Sequence, residues 1–262
     1  MSRQPTFFIP HGGGPCFFMD DPQGTWTGMQ DFLQSLPKRL PERPTAILVV
    51  SGHWETDGFA LTGAEEPSLI YDYSGFPAHT YALRYDAPGA PALARDAASL
   101  LVKAGLKARL DPERGFDHGL FVPLKVAFPE ADIPVVEMSV DRGLDPALHL
   151  AAGRALAPLR DAGVLIIASG MSFHNMRGYG DPRFTEPSEQ FDRWLTGAVS
   201  LDEPARAARL ENWAEAPAGR LSHPQEEHLL PLMVAAGAAE GPGEQVYGEQ
   251  VMKTAISGFQ FN

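Results

Sequence analysis

The sequence predicts a layered α/β fold, with a central parallel or mixed β-sheet flanked by helices on both faces. Short apolar runs rich in β-branched and aromatic residues recur along the chain, each bounded by Gly, Pro or polar residues. Between them lie longer segments with helical punctuation, Pro near the start and Gly just past the end. The length of 262 residues, with 44% hydrophobic and 21% charged residues, suits a globular chain with a substantial buried core. No repeat, low-complexity tract or linker divides it, so residues 1–262 read as one domain.

The clearest strand candidates are Thr6 to Ile9, Ala46 to Ser51, Ile133 to Met138 and Val164 to Ser169. Phe59 to Thr62, Thr80 to Tyr85 and Thr254 to Phe261 are weaker ones. Pro91 to Ala104 reads as a helix closed by Gly105, and Pro146 to Ala162 as one closed by Gly163. Glu186 to Ser200 and Gln225 to Ala236 are further helices, and Leu120 to Phe128 is an apolar helix-like run. In such folds, sites form where strands end and loops begin.

Composition excludes several functions. The net charge is −12, and no Lys/Arg run offers the basic face of a nucleic-acid binder. The single cysteine, Cys16, forbids an intrachain disulfide and suits a reducing compartment. No apolar stretch reaches the length of a membrane span, and Met1 to Pro5 does not open a signal peptide. The expectation is a cytoplasmic protein, monomeric or homodimeric, with no nucleic-acid or membrane partner.

The histidines carry the functional signal. Three of the eight follow a strand candidate within a few residues and have glycine beside that junction: His11 before Gly12-Gly13-Gly14, His53 after Gly52, and His174 four residues after Gly170. One such histidine is usually a hydrogen-bonded structural residue. Three in the same context reverse that expectation, because parallel strands bring their C-terminal ends to one sheet edge. Neutral imidazole is the commonest protein ligand for a borderline divalent metal. His118 lies in Gly115-Phe116-Asp117-His118-Gly119, ahead of an apolar run, and His228 follows Glu226-Glu227 inside the segment read as a helix from Pro224. His79, His149 and His223 have weaker contexts: a loop, a surface or packing position, and a helix start. Cys16 stands among apolar residues and reads as a small packed hydrophobe. Trp54 and Phe173 suit an aromatic-substrate wall and plain core equally well.

Taken together, Phe8-Ile9-Pro10-His11-Gly12, Val50-Ser51-Gly52-His53-Trp54, Phe116-Asp117-His118-Gly119, Ala168-Ser169-Gly170 with His174-Asn175, and Glu227 to Leu232 resemble the LigB-type extradiol ring-opening dioxygenases, in particular their DOPA-dioxygenase-like branch. Pro67 to Tyr85 and Asp86-Ala87-Pro88-Gly89 are similar as well, so the resemblance runs in order through nearly the whole chain. It implies one α/β catalytic domain with one divalent metal at the strand ends. It places His11, His53 and His228 on metal-ligand positions, with Glu226 and Glu227 as fallback ligands. It places His174 on the catalytic acid/base, close enough to the ion to be a fourth ligand, and His118 on a second active-site histidine. Gly13-Gly14-Pro15, one residue longer than the usual Ser-Pro, and Met171-Ser172-Phe173 depart from the family pattern.

The implied reaction opens a small catechol with O2 and needs Fe(II), whereas Zn(II) also suits three imidazoles but has no redox chemistry. Two alternatives use the same residues: a zinc hydrolase, and a non-catalytic Memo-like binder of metal or peptide. Retention of both His118 and His174 favours the enzyme.

Overall fold

The computed structural model describes residues 2–262. Eight strands form one mixed sheet in the order β4-β3-β5-β2-β6-β1-β8-β7. They are β1 (Thr6–Pro10), β2 (Ala46–Thr56), β3 (Phe59–Thr62), β4 (Ala108–Asp111), β5 (Val135–Asp141), β6 (Val164–Gly170), β7 (Gly243–Val251) and β8 (Thr254–Phe261). At the centre β5, β2, β6 and β1 run parallel. Antiparallel pairings join β3 to β5, β8 to β1 and β7 to β8. Every residue of β1 and β6 is buried, which explains why these strands read as unbroken apolar runs rather than alternating ones.

The helices are α1 (Thr27–Ser35), α2 (Pro91–Lys103), α3 (His118–Ala127), α4 (Pro146–Leu156), α5 (Pro158–Asp161), α6 (Thr185–Val199), α7 (Ala205–Glu211), α8 (Gly219–Ser222) and α9 (Leu230–Gly237). Two apolar clusters lie on opposite faces of the sheet. One joins Phe8, Leu48, Val50 and Ile166 to side chains of α2, α4, α6 and α9. The other joins Phe7, Ile9, Val49 and Ile167 to α1 and α3. Alternate residues of one strand thus feed alternate cores, as the strand period requires. Among the described residues no helix is long and apolar enough to cross a membrane.

The expected α/β architecture holds, with local differences. Thr80 to Tyr85 forms no strand. A 3-10 turn occupies Ala78–Ala82, and the carbonyls of Thr80 and Leu83 accept from the Tyr73 and Tyr71 hydroxyls instead of a sheet partner. Pro158, which lacks an amide proton, ends the helix begun at Pro146 and opens α5. The helix read from Gln225 begins at Leu230, because Pro231 rather than Pro224 takes the first turn; His228 therefore precedes the helix. Elements α1, α7, α8, β4 and β7 have no counterpart among the segments expected from sequence. The last is a polar edge strand with exposed Glu244, Gln245, Glu249 and Gln250.

Candidate active site

Strands β1, β2 and β6 are adjacent and parallel, so their C-terminal ends share one edge of the sheet. His11 follows β1 directly and His53 lies near the end of β2, while His174 is in the loop after β6. His118 is the first residue of α3. The 227–228 segment is drawn over the strand ends, where Met171 N–H donates to the His228 carbonyl at 3.0 Å. That crossing needs glycine beneath it. A Cβ on Gly170 would stand 2.1 Å from the His228 carbonyl oxygen, and one on Gly52 2.9 Å from that of Glu227.

Five of the eight histidines converge. The rings of His11, His53 and His228 lie 4.6 to 5.1 Å apart, centroid to centroid. His118 is 4.0 Å from His53 and 5.6 Å from His11, and His174 stacks on His228 at 3.5 Å. Two groups have ligand atoms within 4.8 Å of one another: His11, His53 and His118, and His174, Glu227 and His228. His223 is buried behind the site, 2.9 Å from the Ser172 carbonyl and packed against Phe191 and Trp213. His149 is buried on α4, and His79 is exposed and bonded to the Phe18 carbonyl.

The hydrogen bonds decide which nitrogens are free. His11 Nδ1 donates to the Gly12 carbonyl at 2.9 Å, and His228 Nδ1 donates to Glu227 Oε1 at 2.8 Å. His53 Nδ1 faces Asp72 Oδ2 at 3.5 Å. For His11 and His228 Nε2 is thereby left as the ring's lone-pair nitrogen, and for His53 the carboxylate beside Nδ1 favours the same tautomer. His11 Nε2 is buried with no hydrogen-bond partner among the described residues. His53 Nε2 and His228 Nε2 stand 3.1 Å apart. Two imidazole nitrogens held at about 2.1 Å from one ion are separated by about 3.0–3.4 Å, so this spacing fits a shared divalent cation.

Electrostatics keep the trio neutral. Burial, then the neighbouring His53, His118 and His174, hold the His11 pKa well below the ordinary imidazole range. Burial and His174, His53 and His11 do the same to His228. His53 is lowered to about 4 by burial and His118, against the pull of Asp117 and Asp72. A ligand set of this kind is ready to bind metal without first shedding protons.

Asp72 and Glu227 support the ring of histidines. Asp72 Oδ1 accepts from both the backbone N–H and Nδ1 of His118, at 3.0 and 2.7 Å. Burial alone would raise the Asp72 carboxyl, but these bonds hold it below its usual range. Glu227 Oε1 accepts from His228 Nδ1 at 2.8 Å and lies 3.1 Å from His174 Nδ1. Sequence reasoning named Glu227 only as a fallback ligand and missed Asp72, although Asp72 lies in the Pro67–Tyr85 segment already noted for its resemblance. Behind them, Ser51 Oγ and Arg114 donate to the buried Asp117.

A cavity of about 440 Å³ opens onto His11, His53, His118 and His174. Its aromatic lining is Trp26, Tyr73, Phe76 and Tyr179. Trp54 and Phe173 are instead core residues, Trp54 under the Arg114 guanidinium and Phe173 against Tyr179 and Phe184. Cys16 lines the cavity as a buried thiol whose pKa burial raises to about 12, so it offers no thiolate. A groove of similar size between α6 and the β7–β8 hairpin is lined by Glu189, Asp192 and Glu249 and contains no histidine.

A family model, the catalytic LigB subunit of aromatic ring-opening dioxygenase, matches residues 5–260. The chain belongs to the LigB family. Extradiol relatives agree with that membership. The 4,5-DOPA dioxygenase extradiol of Beta vulgaris is 41% identical over 89% of this chain and 86% of its own. That of Escherichia coli is 38% identical over 92% of this chain and 87% of its own. Dioxygenase tasH of Hapsidospora irregularis is 38% identical over 91% of this chain and 79% of its own. The crystal structure of an uncharacterised Escherichia coli K12 protein superposes with a TM-score of 0.79 at 32% identity, covering 99% of this chain and 100% of that one. This LigB protein is a metal-dependent extradiol dioxygenase that opens a small aromatic ring with O2. The hydrolase and the non-catalytic binder are not favoured.

Proposed function

We propose that His11, His53 and His228 hold one Fe(II) ion through their Nε2 atoms, that His174 is the acid/base residue, and that His118 positions oxygen atoms of the reactants. The observation that carries this reading is the pair of Nε2 atoms 3.1 Å apart, beside the unpartnered Nε2 of His11. His118 remains near His11 and His53, but its Nδ1 is bound to Asp72 and its ring borders the cavity, which suits contact with substrate. The same reading takes residues 1–262 as one catalytic domain acting in the cytoplasm.

Bound there, Fe(II) supplies the redox chemistry that couples a catechol to O2, which Zn(II) cannot. The protein's part is to deprotonate, orient and exclude water. His174 Nδ1 is engaged by Glu227, which leaves Nε2 to take a catechol hydroxyl proton. The Glu227 carboxylate then stabilises the imidazolium. It can do so because His174 holds its carboxyl below the usual range, although burial alone would raise it. His118, braced by Asp72, lines the same cavity. The apolar walls shield these proton transfers from bulk water.

The test is reconstitution of metal-free protein, without oxygen, with Fe(II) or Zn(II), followed by catechol and air. Stoichiometric O2 uptake with a yellow ring-opened product in the iron form alone is the expected result. Tight zinc binding with no O2 uptake from any catechol would overturn the iron assignment.

A further inference from the structure

Beyond the histidines, the largest apolar side chains of the cavity wall are Met19, Trp26, Phe76, Met171, Met176 and Met252. Four of the chain's eight methionines are therefore in this one pocket. No Asp, Glu, Lys or Arg lines it. The two phenols that do are already committed: Tyr73 donates to the Thr80 carbonyl at 2.7 Å and Tyr179 to the Phe173 carbonyl at 2.7 Å. Ser74 adds one hydroxyl to the wall, but beyond the histidines no charged side chain lines it to pair with a carboxylate or an ammonium group.

The rim has the same character. Met176 is 72% exposed and Met252 43% exposed, two of the few large apolar side chains left in solvent. Apolar side chains left open at the mouth of a pocket gain burial when a ligand covers them. Met252 is held there at some conformational expense. It and Lys253 form the two-residue turn between β7 and β8 with φ of +46° and +67°, a left-handed backbone that usually calls for glycine or asparagine. Gly180 N–H donates to the Met252 carbonyl at 2.7 Å, and Thr185 Oγ1 to that of Lys253 at 2.8 Å, so the turn is pinned against the loop that carries Met176. The cations Arg177 and Lys253 follow each methionine in sequence, yet neither lines the cavity.

We propose that this pocket selects catechols bearing an uncharged, apolar substituent, seated against Met171, Met176 and Met252, and disfavours catechols with a carboxylate or zwitterionic tail. The proposal rests on the ring-cleavage reading and narrows its substrate class. DOPA, which appears in the names of relatives, carries both charges. A carboxylate tail entering this pocket would lose hydration without a cationic partner, and the chain's net charge of −12 adds repulsion at longer range. Flexible thioethers, in contrast, adapt to alkyl and aryl groups of varied shape.

The test compares 3-(3,4-dihydroxyphenyl)propanoate with its methyl ester, which differ by one charge at nearly equal size. Binding is measured by calorimetry on the zinc-loaded protein, and kcat/KM by O2 uptake with the iron-loaded protein. We expect the ester to win by about tenfold or more in both, the scale at which an unpaired polar group discriminates. Met252→Lys and the exposed Met176→Arg should each narrow that ratio by admitting the carboxylate. Equal or tighter binding of the propanoate would overturn the proposal, as would an unchanged ratio in both variants. Selective binding of the ester without O2 uptake would support the pocket's selectivity and contradict the ring-cleavage reading instead.

Discussion

His174 and His228 lie face to face, their ring centroids 3.5 Å apart and their planes 17° from parallel. Both Nδ1 atoms meet the same oxygen, Glu227 Oε1. One carboxylate thus orients a proposed metal ligand and the proposed acid/base at once. Glu227→Gln keeps an acceptor for one ring and removes the charge that stabilises the His174 imidazolium. We expect kcat to fall by about 10- to 100-fold, the usual cost of losing a partner behind a metal ligand. Steady-state kinetics with metal content measured alongside checks this; unchanged kcat at full metal loading would contradict it.

Asp72 has the corresponding role on the other side. It binds Nδ1 of His118 at 2.7 Å and faces Nδ1 of His53 at 3.5 Å. Asp72→Asn should weaken metal retention and turnover together, each by about 10-fold or more. The readout is a competitive chelator titration of the variant beside its kcat. A rise in KM alone would show that Asp72 serves only the substrate.

Glu137 sits in the middle of β5 with no exposed surface, its carboxyl against Asp117 and its Oε1 without a partner among the described residues. Burial, then the Asp117 charge and hydrogen bond, push its pKa well above the carboxylate range. A raised carboxyl pKa gives stability that is fully present below the unfolded value, about 4.3, and is lost as pH rises through the folded value. Glu137→Gln removes that titration. Thermal unfolding between acid and alkaline pH should therefore show the variant gaining on the parent as pH rises. A constant offset at every pH would refute the protonated state.

Gly170→Ala places a Cβ against the His228 carbonyl, 2.1 Å away on the present backbone. Overpacking of this kind costs about 1–3 kcal/mol, and here it displaces a proposed ligand as well. We expect a lower Tm and weakened metal binding. Gly197, in α6 with open space around it, is the control, since alanine there should raise stability by about 0.5–1 kcal/mol. Unimpaired metal binding in Gly170→Ala would show that the 227–228 segment can shift without harm.

The strands under the site were legible because β1, β2 and β6 are buried on both faces and read as unbroken apolar runs. The histidines were legible because their signal is local, a strand leading through glycine to an imidazole. Their partners were not. Asp72 reaches His118 and His53 from a loop, while Asp117 and Glu137 are buried behind the site, and nothing near them in sequence marks a carboxylate for these roles. The methionine mouth was hidden for the opposite reason: Met176 and Met252 look like ordinary core residues, yet the structure leaves both in solvent. The start of α9 is ambiguous in the sequence because Pro224 and Pro231 both suit a first turn; in the fold residues 227–228 cross over Gly52 and Gly170 and the helix starts at Leu230.

The identity of the three metal-holding histidines is tested most directly by metal content. Single alanine variants of His11, His53, His118, His174 and His228 are purified, incubated with one equivalent of Fe(II) without oxygen, desalted and assayed for iron. Loss of iron from the His11, His53 and His228 variants, with retention in the His118 and His174 variants, is the expected pattern. Iron retained without His228 but lost without His118 would contradict it and assign the ion to His11, His53 and His118.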